Sequence, residues 1–166
     1  MKINLAKSAG FCFGVKMAIE IAYKTLAGNK NVYTLGNIVH NEDVAGKLEK
    51  AGLKKSKKLS CGKNKILLIR AHGASLNIIN KARKLGYKIV DATCPTVKEI
   101  HKIAHSAECY GYTIIVIGDK KHDEVQGIIG QLKKRAIVIE DAQDIPWGKL
   151  KKIKKPSVVV QSTQRL

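Results

Sequence analysis

Short apolar, β-branched runs alternate with stretches of helical periodicity along the whole chain, and this alternation constrains the fold more than any other feature. Ile3–Ala6 precedes an expected helix over about Gly14–Ala27, in which Val15, Ala18, Ile19, Ala22 and Leu26 share one face. Val32–Leu35 leads through a loop to a helix near Glu42–Ala51. The continuous apolar run Ile66–Arg70 is followed by Ser75, a natural N-cap for a helix reaching Leu85. Lys88–Val90 precedes a helix over about Thr96–Tyr110, and Thr113–Ile117 precedes another near Glu124–Leu132. Ala136–Ile139 and Ser157–Val160 read as further strands, and Lys54–Lys65 as a polar connector. Strand and helix in strict alternation predict an α/β protein with parallel sheets. A boundary near residues 92–97 divides it into two small domains, 1–95 and 96–166, each a mostly parallel sheet covered by helices.

Composition narrows the function classes. Apolar residues make up 45% and aromatics only 5%, so the interior is aliphatic, as befits helices packed on parallel strands. No stretch approaches the roughly 18–20 apolar residues of a membrane span, and the first residues are too polar for an export signal. A soluble cytoplasmic protein is expected. The net charge of +18 raises nucleic-acid binding as one reading. Nearly all of the charge is lysine, however, clustered at Lys54–Lys58 and Lys149–Lys155 in connecting stretches without interleaved aromatics. A solvated lysine-rich surface is the plainer account, and a field that draws small anions is the other. The cysteines, Cys12, Cys61, Cys94 and Cys109, form no C-x-x-C pair. Without an export signal, metal or redox roles outweigh disulfides.

The informative pattern lies just beyond each expected strand: Gly10-Phe11-Cys12-Phe13-Gly14, Val39-His40-Asn41, Ala71-His72-Gly73, Asp91-Ala92-Thr93-Cys94-Pro95, His122-Asp123-Glu124 and Gln161-Ser162-Thr163. In open α/β sheets the ligand site lies beyond the carboxyl ends of the strands. Cys12 alone could be a small buried hydrophobe. Flanking glycines and a following helix N-terminus instead suit a ligand, and Cys94 before Pro95 has a similar setting. Thiolates that open helices leave room for a cluster ligated from distant segments. His40, His72 and His122 could each be an ordinary loop histidine; together they suit the oxygens of a phosphate. Glu124 is either a first-turn acid favoured by the helix dipole or a proton donor. Ser162 and Thr163 either satisfy backbone groups or bind substrate. His101 and His105, four apart in a helix, read as packing or surface residues, and Cys61 and Cys109 as incidental. A zinc hydrolase has no supporting ligand spacing.

Taken in order, these segments resemble the LytB/IspH family, the 4-hydroxy-3-methylbut-2-enyl diphosphate reductases of the non-mevalonate isoprenoid pathway. The resemblance implies a [4Fe-4S] cluster held by three cysteines, two of them matching Cys12 and Cys94. It implies that His40, His72 and His122 hold the diphosphate, that Glu124 supplies protons, and that Ser162, with Thr163 beside it, contacts the substrate. It also implies an external electron donor such as ferredoxin or flavodoxin, and no nucleic acid or membrane as partner. Two departures stand out: Asp123 replaces the family's usual Pro, and Ser162 replaces its Thr. The family further has a third α/β domain with the third cysteine. The chain is therefore expected to be an N-terminal portion, truncated or split, and inactive or unstable alone.

Overall fold

The computed structural model describes residues 3, 4, 6 and 9–164. The elements run α1 (Phe13–Ala27), β1 (Val32–Thr34), α2 (Glu42–Lys50), β2 (Lys54–Lys55), β3 (Ile66–Ile69), α3 (Leu76–Lys84), β4 (Lys88–Asp91), α4 (Pro95–Cys109), β5 (Thr113–Ile117), α5 (Asp123–Ile129), β6 (Ile137–Ile139), a 3-10 turn (Ala142–Asp144), α6 (Trp147–Leu150) and β7 (Pro156–Val160). They build two sheets, ordered β2-β1-β3-β4 and β6-β5-β7. Every strand pair in both is parallel. Two parallel sheets with helical cover are the α/β architecture that the alternation predicts.

Strand β3 explains the first layer. All four of its residues are buried, and successive side chains point to opposite faces. Ile66 and Leu68 join Ala18, Ala22, Val32 and Leu48 in the core beneath α1 and α2. Leu67 and Ile69 join Ala82 and Tyr87 beneath α3. In the second sheet Ile114, Val116 and Val159 pack on Ala104 of α4 and on Val125 and Ile128 of α5. The chain thus leaves β4 of the first sheet and enters α4, which packs on the second, at Cys94. Polar bonds join the two units: Gln131 Nε2 donates to the Ala74 carbonyl at 2.9 Å, and the Leu76 amide to the Gly130 carbonyl at 3.0 Å.

Three expectations need correction. Residues Ile3, Asn4 and Ala6 form no strand, and Leu5 lies outside the described residues. Ile3 is 78% exposed, so its apolar character finds no sheet to join. Within the expected connector, Lys54 and Lys55 add a short edge strand, β2, alongside Tyr33 and Thr34. Two exposed lysines suit an edge, where charge discourages further pairing. The 3-10 turn and α6 also fall where no element was expected.

Candidate active site

The site occupies the carboxyl ends of strands from both sheets, at the points where the strand order reverses. In the first sheet the chain leaves β1 toward β2 and leaves β3 toward β4. The loops after β1 and β3 therefore diverge and open a crevice. His40 lies on the first loop and His72 on the second. In the second sheet β5 leads toward β6, while β7 lies on its other side. Glu124 follows β5, and Ser162 follows β7.

Local capping fixes the loops. Asn41 caps α2, its Oδ1 accepting from the Val44 amide at 2.9 Å, which anchors His40 one residue earlier. Ser75 caps α3, downstream of His72. His122 itself caps α5: its Nδ1 accepts from the Glu124 amide at 3.1 Å. In that tautomer the ring proton sits on Nε2, which is left free to donate.

The three predicted histidines come together. The rings of His40 and His72 stack with centroids 4.1 Å apart. His122 stands edge-on to both, at 5.2 and 5.6 Å. Nε2 of His72 is buried without a hydrogen-bond partner, an uncommon state for a polar atom and one that a ligand oxygen would relieve. Burial pushes the His72 pKa down from 6.5 to about 4, helped by His40, His122 and Arg70 and opposed by Asp123. A cluster of mutually repelling imidazoles is at ease only when neutral or when facing an anion.

This burial makes stability depend on pH. The folded state resists protonating His72, whereas the unfolded chain accepts the proton near 6.5. Stability should accordingly fall as pH drops from 6.5 toward 4. His101, lowered mainly by burial with Asp91 opposing, acts in the same direction. We expect about 1–2 kcal/mol from His72, whose mostly buried ring is still partly screened by solvent. Urea unfolding across this range should show the slope, and His72→Gln should flatten it. An unchanged slope in the variant would count against the assignment.

Glu124 is fully buried, and both carboxylate oxygens are held. Oε1 accepts from the Ser162 amide at 2.6 Å, and Oε2 from the Ser162 hydroxyl at 2.9 Å. Ser162 thus binds Glu124 across the reversal point of the second sheet. Thr163 is turned to Gln161, whose Nε2 donates to its hydroxyl at 2.9 Å. Gln161 Oε1 in turn accepts from the Asp119 amide at 3.1 Å, tying the loop after β7 to the loop after β5.

The two predicted thiols lie at helix starts. Cys12 is the N-cap of α1 and Cys94 of α4, and neither side chain makes a capping hydrogen bond. The Cys94 sulfur lies against the first turn of the helix that Cys12 caps: a Cβ added at Gly14 would collide with it. Two thiols at positive helix ends without capping bonds, one of them given room by a glycine, suit ligands of an iron–sulfur cluster. Among the described residues no third histidine, cysteine or carboxylate completes a metal-binding group with them.

The remaining histidines and cysteines stay apart from this cluster. His101 is wedged beneath the His72 loop, where Cβ atoms on Gly73 and Gly127 would crowd its ring. His105 bonds the Gln131 carbonyl through Nδ1 at 3.1 Å, with Cys109 beside its Nε2 at 3.8 Å. Cys61 is exposed in the connector. Arg70, which the strand-end pattern did not single out, pairs with Asp123 at 2.6 Å within this site. Asp123, where a proline was expected, was the available signal.

Known proteins match this fold and sequence along nearly the whole chain. A reductase structure described as the terminal enzyme of the non-mevalonate pathway superposes with a TM-score of 0.86 at 36% identity, covering 98% of this chain and 59% of that one. The corresponding reductase from Plasmodium falciparum gives 0.80 at 31% identity, covering 95% and 50%. Relatives named 4-hydroxy-3-methylbut-2-enyl diphosphate reductase are 40% identical in Geotalea uraniireducens, over 99% of this chain and 57% of theirs, and 40% identical in Clostridioides difficile, over 98% and 59%. The chain therefore spans a little under three-fifths of the curated relatives it matches. The sequence model described as LytB protein matches residues 3–166, and with the fold and motifs in agreement the chain belongs to the LytB family.

Proposed function

We propose that this chain contributes the diphosphate cradle and the proton donor of a 4-hydroxy-3-methylbut-2-enyl diphosphate reductase. The reaction removes the allylic hydroxyl as water, consuming two electrons and two protons, and yields isopentenyl and dimethylallyl diphosphate. The observation that carries this reading is the packing of three histidine rings within 4.1–5.6 Å of one another around an unpartnered buried nitrogen.

In this reading His40, His72 and His122 donate N–H groups to the diphosphate, and the +18 charge of the chain draws the anion in. Clamping the diphosphate orients the allylic end and removes the entropy of finding it. Glu124, shielded from water, delivers a proton at its carboxyl oxygen, with Ser162 holding the carboxyl in place and Thr163 at the rim. Cys12 and Cys94 would hold two corners of a [4Fe-4S] cluster, with the third ligand supplied from the part of the relatives' length that this chain does not span. When bound, the cluster supplies the two electrons, received from a ferredoxin- or flavodoxin-type donor, together with Lewis acidity. Residues 1–95 and 96–166 are two of three α/β units on this account. The location would be cytoplasmic; among the described residues no helix is long and apolar enough to cross a membrane.

Calorimetric titration with inorganic diphosphate tests the cradle directly. Saturable binding is expected, weakened at least about tenfold in His72→Ala through lost charge-assisted hydrogen bonds. Equal binding by the variant, or none by the native chain, would contradict it.

A further inference from the structure

We infer that Arg70 is a positioning residue that locks the three histidine loops into one cradle, with Asp123 as its counter-clamp. Arg70 lies at the end of β3 and touches each histidine-bearing segment, its own loop through the backbone and the other two through the guanidinium. On its own loop it stands two residues before His72, and its carbonyl accepts from the Gly73 amide at 3.0 Å. On the β1–α2 loop it lies against Gly36, four residues before His40: a Cβ there would come within 2.8 Å of Arg70 Nη1, and Gly36 holds the left-handed φ of +94°. On the β5–α5 loop Nη1 bonds Asp123 Oδ2 at 2.6 Å, directly after His122. Arg70 and Asp123 are 53 positions apart and belong to different sheets.

An exposed ion pair would deserve little weight. Here the guanidinium is sheltered, the Arg70 side chain being only 19% exposed, while Asp123 at 38% faces solvent in part. A guanidinium pressed against backbone on one side and bonded on the other has little freedom, which suits it to setting loop register. Asp123 is otherwise hard to explain. A carboxylate one residue from His122 opposes an incoming diphosphate, so its presence calls for a compensating role, and the contact with Arg70 supplies one.

The inference rests on the reading of the triad as a diphosphate cradle, and Asp123→Asn separates it from simple electrostatics. The variant removes one negative charge beside the anion site, so charge alone predicts tighter binding of inorganic diphosphate. Loss of the clamp predicts the opposite, about tenfold weaker binding as the rings lose register. A second arm needs no ligand. NMR titration of His72, which is faced by His40, His122, Arg70 and Asp123 with His101 beneath its loop, reports how tightly the rings are packed. Loosened rings regain water, so the His72 midpoint should rise in Asp123→Asn; loss of the carboxylate charge alone would lower it. Arg70→Lys, which keeps the charge but not the planar fork, should also weaken binding. Arg70→Gln combined with Asp123→Asn should bind no more weakly than Arg70→Gln alone, as expected for partners in one interaction. Unchanged or tighter binding by Asp123→Asn, or a lowered His72 midpoint, would overturn the assignment. If the native chain binds no diphosphate the cradle reading fails, and the His72 titration still decides the clamp.

Discussion

Glu124→Gln should lower turnover by about a hundred- to ten-thousandfold, the span usual for loss of a positioned proton donor. Its effect on stability should be small, within about 1 kcal/mol. The geometry explains the difference. A glutamine oxygen can still accept from the Ser162 amide, and the Ser162 hydroxyl can rotate to accept from the new NH2 group, so the bonds at 2.6 and 2.9 Å have replacements. The proton that the carboxyl would deliver has none. Glu124→Ala is different: it empties a fully buried position and strands both Ser162 donors. It should cost about 2–4 kcal/mol. Denaturant unfolding of both variants, with turnover of the allylic diphosphate under a chemical reductant by a cluster-loaded preparation completed with the portion of a relative that this chain does not span, makes the comparison. Near-native turnover by Glu124→Gln would remove the residue from its proposed role.

The second large effect concerns the thiols. After anaerobic iron–sulfur reconstitution, together with the portion of a relative that this chain does not span, the protein should be brown and retain iron and sulfide. Cys12→Ser or Cys94→Ser should each reduce retained iron by about tenfold or more, because a hydroxyl is a poor substitute for a soft thiolate. Cys61→Ser and Cys109→Ser should have no effect, since one lies in the connector and the other beside His105. Gly14→Ala provides a geometric check, as its methyl group would displace the Cys94 sulfur without altering either ligand. Iron retained equally by Cys12→Ser and Cys61→Ser would defeat the ligand assignment.

The strands β3, β5 and β7 were legible because apolar runs bounded by polar punctuation have few alternatives in an α/β chain. Ser75 was legible as a cap because its hydroxyl has an obvious amide to accept from. Strand β2 was not, because two lysines carry no strand pattern and pair only because β1 offers an edge. Ile3–Ala6 erred the other way, since apolar residues without a neighbouring strand do not make one. At the site, strand-end position singled out the histidines, Cys94 and Glu124, whereas Cys12 stood out by its flanking glycines and the helix it opens, because the strand expected before it does not form. Their partners were hidden by distance along the chain: Glu124 meets Ser162 across 38 positions and Arg70 meets Asp123 across 53. No local pattern encodes such pairs. The first exists because β5 and β7 are neighbours in one parallel sheet, the second because the two sheets present their carboxyl ends to each other.

The route of the chain between those sheets has a mechanical consequence. The described residues cross from the first unit to the second at Cys94, where the amide donates to the Ala71 carbonyl at 2.9 Å and the next residue opens α4. The apolar clusters of the first unit are separate from that of the second, and polar bonds join the units, from Gln131 to Ala74, Leu76 to Gly130 and Arg70 to Asp123. His40 and His72 sit on the first unit and His122 and Glu124 on the second, so the packing of the three rings depends on the polar bonds that span the join. Breaking those bonds would part the histidines without unfolding either sheet, because each sheet keeps its own apolar packing.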